Sequence, residues 1–301
     1  MYLFKKQLKL RAAIIRSMRC FFYNNGYIEV ETPVRIPAPA PEAFIDAVET
    51  GELFLQTSPE LCMKRLLSSG YKRIFQICRC FRQSERGAKH LPEFTMLEWY
   101  TAENNYLNMM EQCEDLIRKI AQDTGFDGQI KYQGKKISLD HPWDRMSVAQ
   151  AFEKFSSVSM QTALEQDRLD EIIGLEIEPQ LGISKPLFLY DYPAVCGALA
   201  KLKNVNPNLA ERFELYISGM ELCNAFSELT DPDEQRKRFE HEIKIRHLSG
   251  KQKYPMPDKF LDALNSMPEA SGNALGIERL VMLFADTANI DDVVAFTPEE
   301  L

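Results

Sequence analysis

Between Arg212 and Phe226 the chain reads "RFELYISGMELCNAF", two strand-like runs that meet at Ser218 and Gly219, a pair suited to a two-residue hairpin turn. Strands joined this tightly must be antiparallel neighbours, because a parallel pair needs a crossover of roughly a dozen residues or more. A second pair of strand-like runs, starting at Arg73 and at Phe94, brackets a charged loop in "CRCFRQSERGAKHLPEFTMLEWY". The remaining elements do not alternate strand with helix. A helix with Ile14, Met18, Phe21 and Phe22 on one face stops near Gly26, and "GYIEVETPV" follows as a strand broken by Pro33. "LFLQ" is a strand, and "TSPELCMKRLLSSG" is a short helix with Pro59 near its first turn and Gly70 past its end. "PLFLYDYP" is a strand, a helix starts at Asp231 with Pro232 and Glu234 in capping positions, and "GNALGIERLVMLFA" gives the last strand and helix. From about Leu107 to Gly182 the pattern is mainly helical, interrupted by "DGQIKYQGKKISL", and reads as an insertion. The expected fold is α/β (α+β), a single domain with an antiparallel sheet flanked by helices rather than a doubly wound parallel sheet.

At 301 residues and 45% hydrophobic, the chain can bury a full core. No apolar run nears the roughly 18 residues of a membrane span, and the charged, helical start is unlike a signal peptide, so a cytoplasmic protein is expected. Seven scattered cysteines suggest neither a disulfide framework nor a zinc site and are expected as buried thiols. A net charge of -8 argues against a broad nucleic-acid-binding face.

Alternation places Phe94, Met96, Glu98 and Tyr100 on one strand face, and Gln76, Cys78, Cys80 and Arg82 on a face of the strand before it. An aromatic platform, an arginine fork and a basic loop suit a nucleotide; the same pattern also fits a hairpin with solvated charges and core aromatics. With Ser218 and Gly219 as the turn, Glu214 falls opposite Cys223 and Glu221 opposite Tyr216, so the two glutamates share a face. Two such carboxylates suit magnesium held together with phosphate, or simply a solvated face. Simple alternation leaves Asn224 and Glu228 off that face unless a bulge intervenes.

"GYIEVETP", "FRQSERGAKHLPEFTMLEWY" and "GNALGIERLVML" resemble, in order, the three motifs of class II aminoacyl-tRNA synthetases. "SPELCMKRLL", "EFTMLEWY" and "ERFELYISGMELCNAFSELTD" resemble the lysine-specific members, and the likeness runs from about residue 8 to 296. The chain opens on the helix before motif 1, so no anticodon-binding OB-fold is expected. In this it resembles the elongation factor P lysine ligases, which attach (R)-β-lysine to a lysine of that factor. The resemblance implies ATP and Mg2+ as cofactors, lysine or (R)-β-lysine and elongation factor P as substrates, a homodimer formed through motif 1, and no role for tRNA. It implies Arg82 on the α-phosphate and Arg279 on the γ-phosphate as catalytic residues, with Arg279 also covering adenine opposite Phe94. Glu85, His90, Leu222 and Gly276 complete the ATP site with Glu221. Ser58, Pro59, Glu60, Tyr100, Asn224, Glu228 and Ala274 would bind the amino acid, and Glu214 with Glu221 the metal. Two positions depart from the lysyl-tRNA synthetase pattern: Ser84, with Glu85 next, stands where a glutamate follows the motif 2 arginine, and Ala274 replaces the middle glycine of motif 3. A truncated enzyme charging tRNA or another acceptor, and an inactive regulatory paralogue, are the alternatives.

Overall fold

A computed structural model describes residues 2–301, with side chains from Lys6 onward. Helix α1 (Tyr2–Asn24) buries Ile14, Met18 and Phe22 and ends before Gly26, whose φ of +75° the absent side chain permits. Phe22 stacks on Phe75 of the sheet with ring centroids 4.6 Å apart.

The expected "GYIEVETPV" strand is only β1 (Ile28–Glu29), paired in parallel with residues 74 and 75. Pro33 ends it, and the chain then enters a small antiparallel sheet of β2 (Arg35–Ile36), β3 (Glu49–Thr50) and β4 (Leu53–Leu55). Next come α2 (Glu60–Ser68), β5 (Arg73–Phe81), β6 (Glu93–Ala102) and α3 (Tyr106–Asp123). The hairpin β7 (Gln129–Tyr132) and β8 (Lys135–Ser138) leads to β9 (Asp144–Ser147) and to helices α4 (Val148–Phe155), α5 (Met160–Glu165) and α6 (Leu169–Ile172). The chain closes with β10 (Leu187–Pro193), β11 (Leu202–Lys203), β12 (Asn206–Ile217), β13 (Met220–Ser227), α7 (Pro232–Leu248), α8 (Asp258–Leu264), β14 (Ala270–Gly276) and α9 (Ile277–Ala285).

The main sheet runs β1-β5-β6-β14-β13-β12-β10-β9, with β11 beside β12. The strands from β5 to β10 are antiparallel to their neighbours, and only the two edge pairs, β1 with β5 and β9 with β10, are parallel. Helices α1, α3 and α9 pack on one face and enclose the principal core. On the other face α2 and α8 cover one end, around Leu61, Tyr100, Phe260 and Leu264, α4 to α6 cover β10 and β12 at the other, and a trough lies between them.

The helical stretch expected over residues 107–182 falls into two pieces. Met109, Cys113 and Ile117 of α3, with Ile130 and Ile137 of the hairpin, belong to the principal core. Helices α4 to α6 instead build a second core on β10 and β12, where Phe152 and Ile172 meet Leu189 and Tyr216.

The β12–β13 hairpin turns at Ser218 and Gly219 with φ of 53° and 69°, the left-handed pair that a type I′ turn needs. Tyr216 lies opposite Glu221 as expected, but Leu215 lies opposite Cys223, so Leu222 is an extra residue and Glu214 faces Asn224 rather than Cys223. The bulge lets Leu222 and Cys223 both bury in the principal core. It also brings Asn224 and Phe226 to the trough face with Glu221 and Glu214.

Asp231 caps α7 by accepting from the amides of Asp233 and Glu234. Near the other end of α7, fully buried Arg246 donates to the carbonyls of Glu42, Ile45 and Gln252 and to Asp46, with its guanidinium 4.0 Å from the Tyr254 ring centroid. That fixes the loop 42–46 beside the trough. Of the seven thiols only Cys80, Cys113 and Cys223 are buried, and Cys20 is exposed, so the expectation of buried thiols holds for three. Among the described residues no helix is long and apolar enough to cross a membrane.

Gly182 joins the second core to the hairpin: its carbonyl accepts from Ser218, its φ is +65°, and an added Cβ would lie 2.3 Å from the Tyr216 carbonyl oxygen. Gly182→Ala is therefore expected to lower stability by about 2 kcal/mol or more, read as a shift in urea midpoint at constant m.

Candidate active site

One end of the trough is built by β5, β6 and α9. Pairing of Cys80 with Phe94, Cys78 with Met96 and Gln76 with Glu98 puts the expected residues on one face. Arg82 follows β5, its amide donating to Pro92, and its guanidinium lies 5.2 Å from the Phe94 ring centroid. Arg279 was expected across a bound adenine from that ring. Its Nη1 donates to the Glu221 carbonyl (3.0 Å) and to Oε2 (3.1 Å), its Nε to the Lys89 carbonyl (3.2 Å), and its Nη2 to His90 Nε2 (2.5 Å). The neighbouring Glu278 is buried and accepts from Arg11 and from the Thr95 amide, which fixes the start of α9 against α1 and β6.

Burial and the Arg279 charge hold His90 below its ordinary pKa, in keeping with a neutral ring that accepts at Nε2. Burial pushes the Glu221 carboxyl up, but Arg279, Arg82 and Arg212 outweigh it and keep the group below the usual range. Glu85 lies 3.8 Å from Arg82. The Leu222 side chain sits in the core, so only its backbone can face a ligand. Gly276 ends β14 opposite Met96, and a Cβ there would meet nothing nearer than the Arg279 side chain at 3.9 Å.

Glu214 is enclosed by donors. Its Oε1 accepts from Arg212 (2.6 Å), and its Oε2 from Tyr192 (2.5 Å) and Tyr216 (2.7 Å). Arg212 also donates to Asn224 Oδ1 (3.0 Å). Among the described residues no cluster of three or more His, Cys, Asp or Glu side chains is arranged to hold a metal. Magnesium is commonly held by one or two carboxylates together with water or phosphate oxygens, and Glu214 and Glu221 are the carboxylates on this face that could supply them, although both already accept from arginine or tyrosine.

The other end of the trough is acidic and closed. The Ser58 hydroxyl accepts from the Glu60 amide at the start of α2 and donates to Glu98 Oε2 (2.7 Å), while the Tyr100 hydroxyl donates to Glu98 Oε1 (2.5 Å). Pro59, in the N-cap position, sets the turn between Ser58 and Glu60. Lys64, one turn along α2, lies 2.5 Å from both Glu60 Oε1 and Glu228 Oε2. Glu228 follows β13, where its amide donates to the Ala270 carbonyl. Burial, then repulsion from Glu60, lifts Glu98 to about 8; burial, only partly offset by Lys64, lifts Glu228 to about 8.

The floor is β14. Gly272 pairs with Tyr100, Ala274 with Glu98 and Asn224, and Gly276 with Met96, so the face between the flanking strands carries almost no side chain. An added Cβ at Gly272 would lie 2.3 Å from the Tyr100 ring and 2.4 Å from Glu228 Oε1. Ser58, Pro59, Glu60, Tyr100 and Glu228 thus converge at this end, Ala274 and Asn224 lie midway, and Arg82, Phe94, Glu221 and Arg279 stand at the other. Sequence reasoning did not single out Glu98, Lys64 or Arg212 as part of the site. The first two had a signal: Glu98 alternates with Tyr100, and Lys64 is four residues after Glu60 on a helix. Arg212 shares a face with Glu214, but nothing in the sequence set it apart.

A stacked aromatic, two arginines and a carboxylate pair at one end, with an acidic amine pocket at the other, suit the activation of an amino acid. The family described as tRNA synthetases class II (D, K and N) matches residues 3–300. The chain belongs to this family. It is 38% identical to the elongation factor P--(R)-beta-lysine ligase of Pectobacterium atrosepticum, over 96% of this chain and 94% of that protein. The ligase of the same name from Erwinia tasmaniensis is also 38% identical, over 95% and 93%. The lysine--tRNA ligase of Moorella thermoacetica is 38% identical over 95% of this chain but 64% of its own length. The antiparallel-dominated sheet flanked by helices is the class II synthetase fold that the three motifs implied.

Gly272→Ala is expected to displace Tyr100 and Glu228 and so abolish binding of a diamino acid while ATP still binds. Calorimetric titrations with each ligand separate the two effects.

Proposed function

We propose that this protein uses ATP to activate a lysine isomer, (R)-β-lysine, as an aminoacyl-adenylate and transfers it to a lysine side chain of elongation factor P. The observation that carries the reading is the closed pocket of Glu60, Glu98, Tyr100 and Glu228 at one end of a trough whose other end holds Arg82 and Arg279. An ammonium seated in the pocket points the substrate's carboxylate along β14 towards the arginines. The carboxylate is already ionised, so no general base is needed. Its oxygen attacks the α-phosphorus of ATP and pyrophosphate leaves. Arg82 stabilises the charge that grows on the α-phosphate, and Arg279 binds the outgoing phosphates once released from Glu221. The acceptor's unprotonated Nε then attacks the acyl carbon, an amide bond forms and AMP leaves. Glu214 and Glu221 would hold Mg2+, which screens the phosphates and eases pyrophosphate departure.

The names of the ligases related over nearly their whole length support elongation factor P as the acceptor. The Ala274 methyl, between Glu98 and Asn224, supports discrimination between isomers that differ in the position of one amino group. Exposed Tyr23, Ile28 and Val34 around motif 1 support a homodimer that covers them. The protein works in the cytoplasm, where its acceptor is, and tRNA is not the acceptor.

The direct test is amino-acid-dependent ATP–pyrophosphate exchange without tRNA, followed by weighing elongation factor P and tRNA after incubation with ATP and each lysine isomer. Exchange and a mass gain on the factor alone are expected. A gain on tRNA would favour the synthetase alternative, and ATP binding without exchange the inactive paralogue. Because Glu98 and Glu228 ionise near 8 and the substrate needs them as carboxylates, kcat/KM for the amino acid should rise between about pH 6 and 8 while KM for ATP stays flat.

A further inference from the structure

Lys64 has no part in the chemistry above, yet it is the one cation buried at the amine end. Its side chain is 1% exposed, on the face of α2 turned towards the sheet. Its ammonium lies 2.5 Å from carboxylate oxygens on two different elements, Glu60 on the same helix and Glu228 after β13. The Phe226 and Phe260 ring centroids, 5.0 and 6.0 Å away, close the rest of its surroundings. A side chain needed only for packing there would be apolar, because a buried ammonium is unfavourable unless carboxylates pair with it. Between the buried Glu228 and the 13% exposed Glu60, the Lys64 ammonium offsets the repulsion of two carboxylates drawn to the same point.

We propose that Lys64 is the positioning residue of the amine pocket. Its fixed positive charge ties Glu60 to Glu228 and leaves three carboxylates, Glu60, Glu98 and Glu228, two charges in excess, which selects a substrate carrying two ammonium groups. This rests on the reading of the pocket as the amine site. The groups that face it are Glu60 and Lys64 from α2, Glu98 and Tyr100 from β6, and Glu228 beyond β13; from the loop 42–46, Glu42 interacts with Glu60. Before substrate arrives, part of that excess is neutralised by protons on Glu98 and Glu228, both of which ionise near 8. A diammonium substrate expels those protons as it binds.

The test is exchange kinetics from pH 6 to 9.5 with Lys64→Met and Lys64→Arg. Lys64→Met should raise KM for the amino acid by about 30-fold or more and leave KM for ATP within about twofold. Removing the cation raises the pKa of its carboxylate neighbours, so the acid limb of kcat/KM should move to higher pH, and Lys64→Arg should bring it back. Equal rises in both KM values, or an acid limb that stays in place, would overturn the proposal. Should wild type exchange with no lysine isomer, the amine-site reading fails instead. If Lys64→Met does not fold, calorimetry of wild type at pH 7 in buffers of different ionisation enthalpy decides: proton release on lysine binding is expected, and its absence overturns the charge balance.

Discussion

The register between β12 and β13 governs the whole site. One extra residue, Leu222, shifts every later position of β13 by one relative to its partner, and the shift has two effects that need each other. Behind the sheet, Leu222 and Cys223 both join the principal core. In front, Glu221 and Asn224 come onto the same face although two residues, Leu222 and Cys223, separate them. Without the bulge, a strand that put Glu221 in the trough would turn Asn224 and Phe226 into the core. The core's demand for apolar side chains and the site's demand for polar ones are met by the same irregularity.

Charge is arranged along the trough as well as across it. Arg82 and Arg279 stand at one end and Glu60, Glu98 and Glu228 at the other, so under the proposed function a zwitterionic amino acid would bind productively in only one direction. The acidic end has a thermodynamic consequence for the free protein. Glu98 and Glu228 titrate near 4.5 when unfolded and near 8 when folded, so the folded state holds more protons across that window. Stability of the unliganded protein therefore falls as pH rises from about 4.5 through 8. The site is stored in a state that disfavours the ionisation its substrate requires.

Much of this was legible in the sequence because local rules decided it. The Ser218-Gly219 turn, the Asp231 cap, the alternation from Phe94 to Tyr100 and the helix after Pro59 each follow from a few adjacent residues. The failures share a cause. Alternation alone could not reveal the bulge at Leu222, because the choice between one register and the next is made by the core behind the sheet. The shortening of β1 reflects Pro33 and a change of sheet. The contacts of Arg279 with Glu221, Lys89 and His90 were not legible, because a linear sequence does not disclose which partners lie near. Lys64 went unnoticed because its partner Glu228 is far away in the chain.

Gly272, Ala274 and Gly276 place a nearly bare strand in the middle of an otherwise well-filled sheet. A central strand ordinarily presents side chains to both layers that sandwich it, and here the second layer, α2 and α8 at one end and α4 to α6 at the other, is interrupted over the strand. At Gly272 the side chains of Tyr100 and Glu228 fill the space a Cβ would take, whereas Ala274 and Gly276 stay partly exposed. Under the proposed function, substrate would complete the architecture as an inserted piece of core that enters and leaves with each turnover.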